Sequence, residues 1–127
     1  MKPKVYVVDD EPKVRGSLAD LLSAMGFAVE TFESTEDFLL AFQRTVGAKE
    51  CVIADLRMPG LSGLDLKREL NEQGVEVPVI LLTGYRDDET DERAQALGIF
   101  QILEKPHPPT ELVDVTRRAL AVSGSNA

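Results

Sequence analysis

The chain has 127 residues, 43% of them apolar, and 22 acidic against 14 basic side chains leave a net charge of −8. That length sets one domain with room for a proper core. The negative field repels phosphodiester backbones and argues against direct nucleic-acid binding. No apolar run approaches the roughly 18 residues of a membrane span, and no small-residue cleavage site follows the N-terminus. The single Cys51 sits inside an apolar run, as a core residue would in a reducing compartment. These points predict a cytoplasmic protein.

Short apolar runs alternate with amphipathic stretches along the whole chain. "KVYVV" (4–8) reads as a first strand. A helix is expected over 11–26, with Pro12 in its first turn, Leu18, Leu21, Leu22 and Met25 on one face, and Gly26 at its end. "FAVETF" (27–32) alternates like an edge strand with one wetter face. Ser34 and Asp37 open a short helix carrying Phe38, Leu39 and Phe42. The third strand is "CVIAD" (51–55), and the third helix runs over 63–73 with Leu64, Leu66 and Leu70 inward. "VILLT" (79–83) is apolar on both faces and therefore central. A helix over 87–97, a strand over 99–103 and a last helix over 110–122 complete the chain.

Five strand–helix units in strict alternation predict an α/β fold, a parallel sheet wound on both faces by helices. The flavodoxin-like order 2-1-3-4-5 fits best, because strands 1, 3 and 4 are the most apolar. Ligands of such sheets sit beyond the carboxyl ends of the strands, where strands 1 and 3 adjoin. Strand 1 brings Asp9, Asp10 and Glu11 to that edge, strand 3 brings Asp55, strand 4 Thr83, and Lys105 follows strand 5. Carboxylates crowded together repel unless one is protonated or a cation joins them. A hard divalent ion such as Mg²⁺ resolves the conflict through oxygen ligands and leaves room for a phosphoryl group. Asp55 is then the candidate nucleophile, with Lys105 and Thr83 to neutralise and hydrogen-bond the phosphoryl oxygens. Taken singly, Asp10 reads equally as a helix cap, Asp55 as a turn former, Thr83 as a strand-end hydroxyl and Lys105 as a surface lysine; it is their joint placement that argues for a shared site.

"VVDDEP", "ADLRMPGLSG", "ILLTG" and "EKP" occur in that order, and with them the chain resembles the response-regulator receiver domain of two-component signalling from about residue 4 to residue 121. The resemblance implies that residues 1–122 are the receiver and 123–127 a polar tail. It implies that Asp55 accepts a phosphoryl group from a sensor histidine kinase or phosphotransfer protein. Asp10 would bind Mg²⁺ directly, Asp9 largely through water, and Arg57 through its backbone carbonyl, while Thr83 and Lys105 would contact the phosphoryl oxygens. The Lys105–Pro106 bond would be cis. Such a protein is a switch acting on an unnamed downstream target, as a monomer or homodimer, and catalyses only its own phosphorylation and dephosphorylation.

Some positions depart from the family pattern. Ile102 stands where the family usually has a Tyr or Phe that moves inward as the threonine shifts, so activation is expected to proceed without an aromatic rotamer change. His107 replaces a common Phe and reads as a partly exposed loop residue. The fourth helix opens with Asp87, Asp88, Glu89, Asp91 and Glu92, opposed on the helix only by Arg93; it reads either as a solvated, well-capped helix, since acids favour a helix N-terminus, or as a weakly docked and mobile one. Arg57 and Tyr85, two residues beyond Asp55 and Thr83, are bulky enough to obstruct water and to lengthen the phosphoryl lifetime. A haloacid dehalogenase-like phosphatase also uses Asp, Mg²⁺, Thr and Lys, but carries its nucleophile after the first strand in an Asp-x-Asp arrangement, which "VVDDEP" lacks. A nucleotide- or flavin-binding module is disfavoured because no Gly-rich loop follows strand 1.

Overall fold

The computed structural model describes residues 2–45 and 47–123. Five strands, β1 (Lys4–Val8), β2 (Ala28–Phe32), β3 (Glu50–Asp55), β4 (Val79–Thr83) and β5 (Gln101–Glu104), form one sheet in the order β2-β1-β3-β4-β5. Every neighbouring pair is parallel. The connecting helices are α1 (Pro12–Ala24), α2 (Thr35–Ala41), α3 (Gly63–Glu72), α4 (Asp88–Leu97) and α5 (Pro109–Ser123). This is the α/β flavodoxin-like architecture that the alternation predicted.

Successive strand side chains point to opposite faces, so each central strand feeds two cores. Val5, Val7, Cys51, Ile53, Ile80 and Leu82 pack with Leu18, Leu22, Leu112 and Val115 of α1 and α5. Tyr6, Val8, Val52, Ala54 and Leu81 pack with Phe38, Leu64, Leu66, Leu70 and Ala94 of α2, α3 and α4. Both faces of β3 and β4 are covered, which is why these strands read as continuous apolar runs. β2 is half-buried to exposed along its length, as an edge strand is.

The element boundaries differ from expectation by one or two residues, mostly for local reasons. Glu11 caps α1 rather than belonging to it, and Pro12 takes the first helical position. β5 starts at Gln101 rather than at residue 99, because Gly98 ends α4 in the left-handed conformation (φ 81°) and the Ile99 N–H is spent on the Ala94 carbonyl at 3.0 Å. Strand-type pairing of β5 begins only beyond that cap. α5 runs on through Ser123, one residue into the stretch read as a tail, and the remainder of that stretch lies outside the described residues.

Candidate functional site

The carboxyl ends of β1 and β3 lie side by side, with Val8 in register with Ala54. The residues just beyond therefore share one rim. Asp9, Asp10 and Asp55 each present a carboxylate oxygen there, all within 4.8 Å of one another. Asp9 is 1% exposed, Asp10 exposed and Asp55 half-buried. The Lys105 Nζ donates to Asp55 Oδ2 at 3.1 Å, and the Arg57 N–H donates to Asp55 Oδ1, also at 3.1 Å. Burial above all, with Asp55 and Asp10 adding repulsion, raises the Asp9 carboxyl above its ordinary value of 3.8, against the Glu11 N–H and Lys105, which lower it.

The loops that carry these groups are built by short-range rules. Asp9 Oδ1 accepts the Glu11 N–H at 2.9 Å, so the β1–α1 turn is closed by Asp9 and not by Asp10, and Glu11 makes no side-chain cap. Asp10 therefore does not cap α1, the plainer of its two readings, and its carboxylate lies in the cluster. After Asp55 the chain turns through Gly60 (φ 78°) into a capping box, in which Ser62 Oγ accepts the Asp65 N–H and Asp65 accepts the Ser62 N–H. Gly63 lets α3 start hard against the end of β3: a Cβ there would lie 2.8 Å from the Asp55 carbonyl oxygen and 2.6 Å from Leu81 Cδ2. The Lys105–Pro106 bond is cis.

Thr83 is fully buried and its hydroxyl is directed along its own loop. It donates to the Tyr85 carbonyl at 2.8 Å and accepts the Tyr85 N–H at 3.2 Å. Ile102 is 7% exposed and packs in the core beneath α4. Arg57 and Tyr85 stand exposed. His107 is half-buried, and its Nδ1 has no hydrogen-bond partner among the described residues. The charge balance of α4 differs from its local sequence: Arg86 pairs with Asp91 at 2.8 Å, and Arg57 lowers the Asp87 carboxyl from another loop, after the larger effect of the Thr90 N–H. The helix is thus opposed by more cations than Arg93 alone, because the others arrive from outside it.

Sequence reasoning passed over Arg15. One turn into α1, it donates from Nη1 to the Asp9 carbonyl at 2.7 Å. Its spacing of four residues from the cap Glu11 was the available signal, since helical side chains lean back over the preceding turn.

A profile of the response regulator receiver domain matches residues 5–117. The chain belongs to the response regulator receiver domain family. Among the receiver's relatives, the transcriptional regulatory protein TdiR of Thauera aromatica is 42% identical over 120 residues, which are 94% of this chain and 52% of that protein. The transcriptional regulatory protein FixJ of Azorhizobium caulinodans is 40% identical over 119 residues, covering 94% of this chain and 56% of FixJ. The receiver therefore spans about half the length of these curated relatives. Full-length FixJ from B. japonicum superposes with a TM-score of 0.87 at 33% identity, over 98% of this chain and 61% of that one. The chemotaxis protein CheY4 of Vibrio cholerae gives a TM-score of 0.84 at 26% identity, over 94% of this chain and 99% of that one. Receivers of this family are signalling proteins rather than metabolic enzymes. Among the described residues no helix is long and apolar enough to cross a membrane.

Proposed function

We propose that this receiver is a phosphorylation-dependent switch in which Asp55 accepts a phosphoryl group from a phosphohistidine on a sensor kinase or phosphotransfer protein. The observation that carries the reading is the meeting of Asp55 with the Lys105 ammonium and two further carboxylates at one sheet edge. An Asp55 oxygen attacks phosphorus in line, the bond from phosphorus to the donor nitrogen breaks, and the donor imidazole leaves with that electron pair. Lys105 neutralises charge on the phosphoryl oxygens, and the Arg57 N–H holds Asp55 in place. Thr83 gives up its bond to the Tyr85 carbonyl to donate to a phosphoryl oxygen, and the loop after β4 follows.

The donor set fits Mg²⁺. It is made of oxygen only, and the buried Asp9 Oδ2 has no hydrogen-bond partner among the described residues, as an atom reserved for a cation or its water would be. Asp10 and Asp55 would hold the ion directly, Asp9 through water and Arg57 through its carbonyl. The ion supplies positive charge to the attacking and transferring oxygens. No observation favours a phosphatase of the haloacid dehalogenase type, since the candidate nucleophile ends β3 and not β1.

The downstream target is a partner or a further domain that reads the displaced loop after β4, in a cytoplasmic pathway. Intact mass after incubation with acetyl phosphate and Mg²⁺ tests the chemistry. One added phosphoryl group is expected on the wild type, and none on Asp55→Ala or on wild type treated with a chelator. A mass unchanged in the wild type, or equally increased in Asp55→Ala, would overturn the reading.

A further inference from the structure

Asp9 has four positions that take part in hydrogen bonds, and three are engaged. Its N–H donates to the Phe32 carbonyl at 3.1 Å, its Oδ1 accepts the Glu11 N–H at 2.9 Å, and its carbonyl accepts Arg15 Nη1 at 2.7 Å. Oδ2 alone is left, buried and without a partner among the described residues, beside Asp10 and Asp55. In the first two bonds the partner groups, the Phe32 carbonyl and the Glu11 N–H, are main-chain and come with the sheet edge and the turn. In the third the partner is a side chain, so a substitution outside Asp9 can remove it.

We propose that Arg15 is a positioning residue for the cation site: by fixing the Asp9 carbonyl it sets the plane of the 9–10 peptide and so the direction in which Asp10 offers its carboxylate. The inference rests on the Mg²⁺ site proposed above and goes further, since it assigns part of that site's affinity to a residue that touches neither metal nor phosphoryl group. The local geometry supports it. Arg15 closes the first turn of α1, its N–H on the Glu11 carbonyl at 2.9 Å, and its half-buried side chain returns over the β1–α1 turn. The 2.7 Å separation is that of a charge-assisted bond. Asp10 thus lies between a 9–10 peptide held at its carbonyl by Arg15 and a 10–11 peptide whose N–H is held by Asp9 Oδ1, and has little freedom to turn away.

A control against simple electrostatics is built into the sign. Arg15 is a cation near a cation site, so removing its charge without any loss of positioning strengthens Mg²⁺ binding. Loss of positioning weakens it. Mg²⁺ is titrated into the phosphate-free protein, following the amide resonances of Asp10, Glu11 and Arg57. In Arg15→Met the dissociation constant is expected to rise about ten-fold, the lower end of what loss of an outer hydrogen bond costs a metal site. Arg15→Lys, which keeps a charged donor, is expected to recover at least half of that loss on a logarithmic scale. Arg15→Leu is a second charge-neutral variant that cannot donate, with the same expected direction as Met, and serves if Met does not fold. A dissociation constant that is unchanged or lowered in the folded neutral variants, or a Lys variant as weak as they are, overturns the proposal. Failure of the wild type itself to bind Mg²⁺ would instead overturn the site reading, so the two failures are distinguishable.

Discussion

Lys67 lies on the inner side of α3, 8% exposed among Leu64, Leu66 and Leu70. Burial depresses its pKa below the ordinary 10.5, only partly countered by Glu76. Its stem packs beneath the turn that ends α4, with Cε 3.9 Å from where a Cβ on Gly98 would stand, so the carbon chain is useful there and the charge is not. A lysine with a depressed folded pKa holds fewer protons folded than unfolded, between that value and 10.5. Its ionisation therefore opposes folding at neutral pH, and the penalty disappears as pH rises through this window. Lys67→Met is expected to stabilise the protein by roughly 1 kcal/mol at pH 7. Urea melts at pH 7 and above 10.5 check this, and the gain should shrink at the higher pH. Cys51 shows the same physics from the other side: burial pushes its thiol up to about 12, which leaves it an inert core residue as its apolar surroundings in the sequence suggested.

The helices differ in what holds their ends. α3 has a full capping box at the loop that follows Asp55, with Ser62 Oγ 3.1 Å from the Asp65 N–H and Asp65 Oδ2 2.8 Å from the Ser62 N–H. Those bonds fasten the far end of the Pro59–Gly60 turn, so they bear on the site as well as on the helix. Ser62→Ala is expected to cost about 1 kcal/mol, measured by urea denaturation, and to leave the Asp55 phosphorylation of the intact-mass assay in place. α4 has Ala94 as its one buried residue and is capped by Asp87, which accepts the Thr90 N–H at 2.7 Å. Its acids favour its N-terminus, and the Arg86–Asp91 pair and the nearby Arg57 temper their repulsion.

At the scale of the molecule, the edge opposite Asp55 is tied by Arg44. Its guanidinium donates to Glu50 Oε2 at 3.1 Å, to the Ala48 carbonyl at 3.0 Å, to the Glu76 carbonyl at 3.0 Å and to Ser123 Oγ at 3.2 Å. The loop before β3, the loop before β4 and the end of α5 meet in this one group. Glu50 is 3% exposed, and a buried carboxylate that loses its partner is costly. Arg44→Met is expected to destabilise the protein by about 3 kcal/mol. Adding Glu50→Gln should recover a large part of that loss in urea melts, since it removes the stranded charge.

The alternation of apolar runs and the Gly, Pro and Ser punctuation gave five parallel units and the rim on which Asp9, Asp10, Asp55, Thr83 and Lys105 fall, while the strand order drew also on the family resemblance. These signals are short-range: a strand's period, a cap three residues away and a turn's glycine are all written within a few positions. The tertiary structure decided the partners. Arg15 to the Asp9 carbonyl and Thr83 to Tyr85 are short-range contacts, six and two positions apart, that the sequence left open among several partners. Arg57 acts on the acids of α4 from another loop. Arg44 makes the reason plainest, since it meets Ser123 across 79 positions of chain. A side chain's partner over such a separation is set by how sheet and helices stack, and no local pattern in the sequence carries that information.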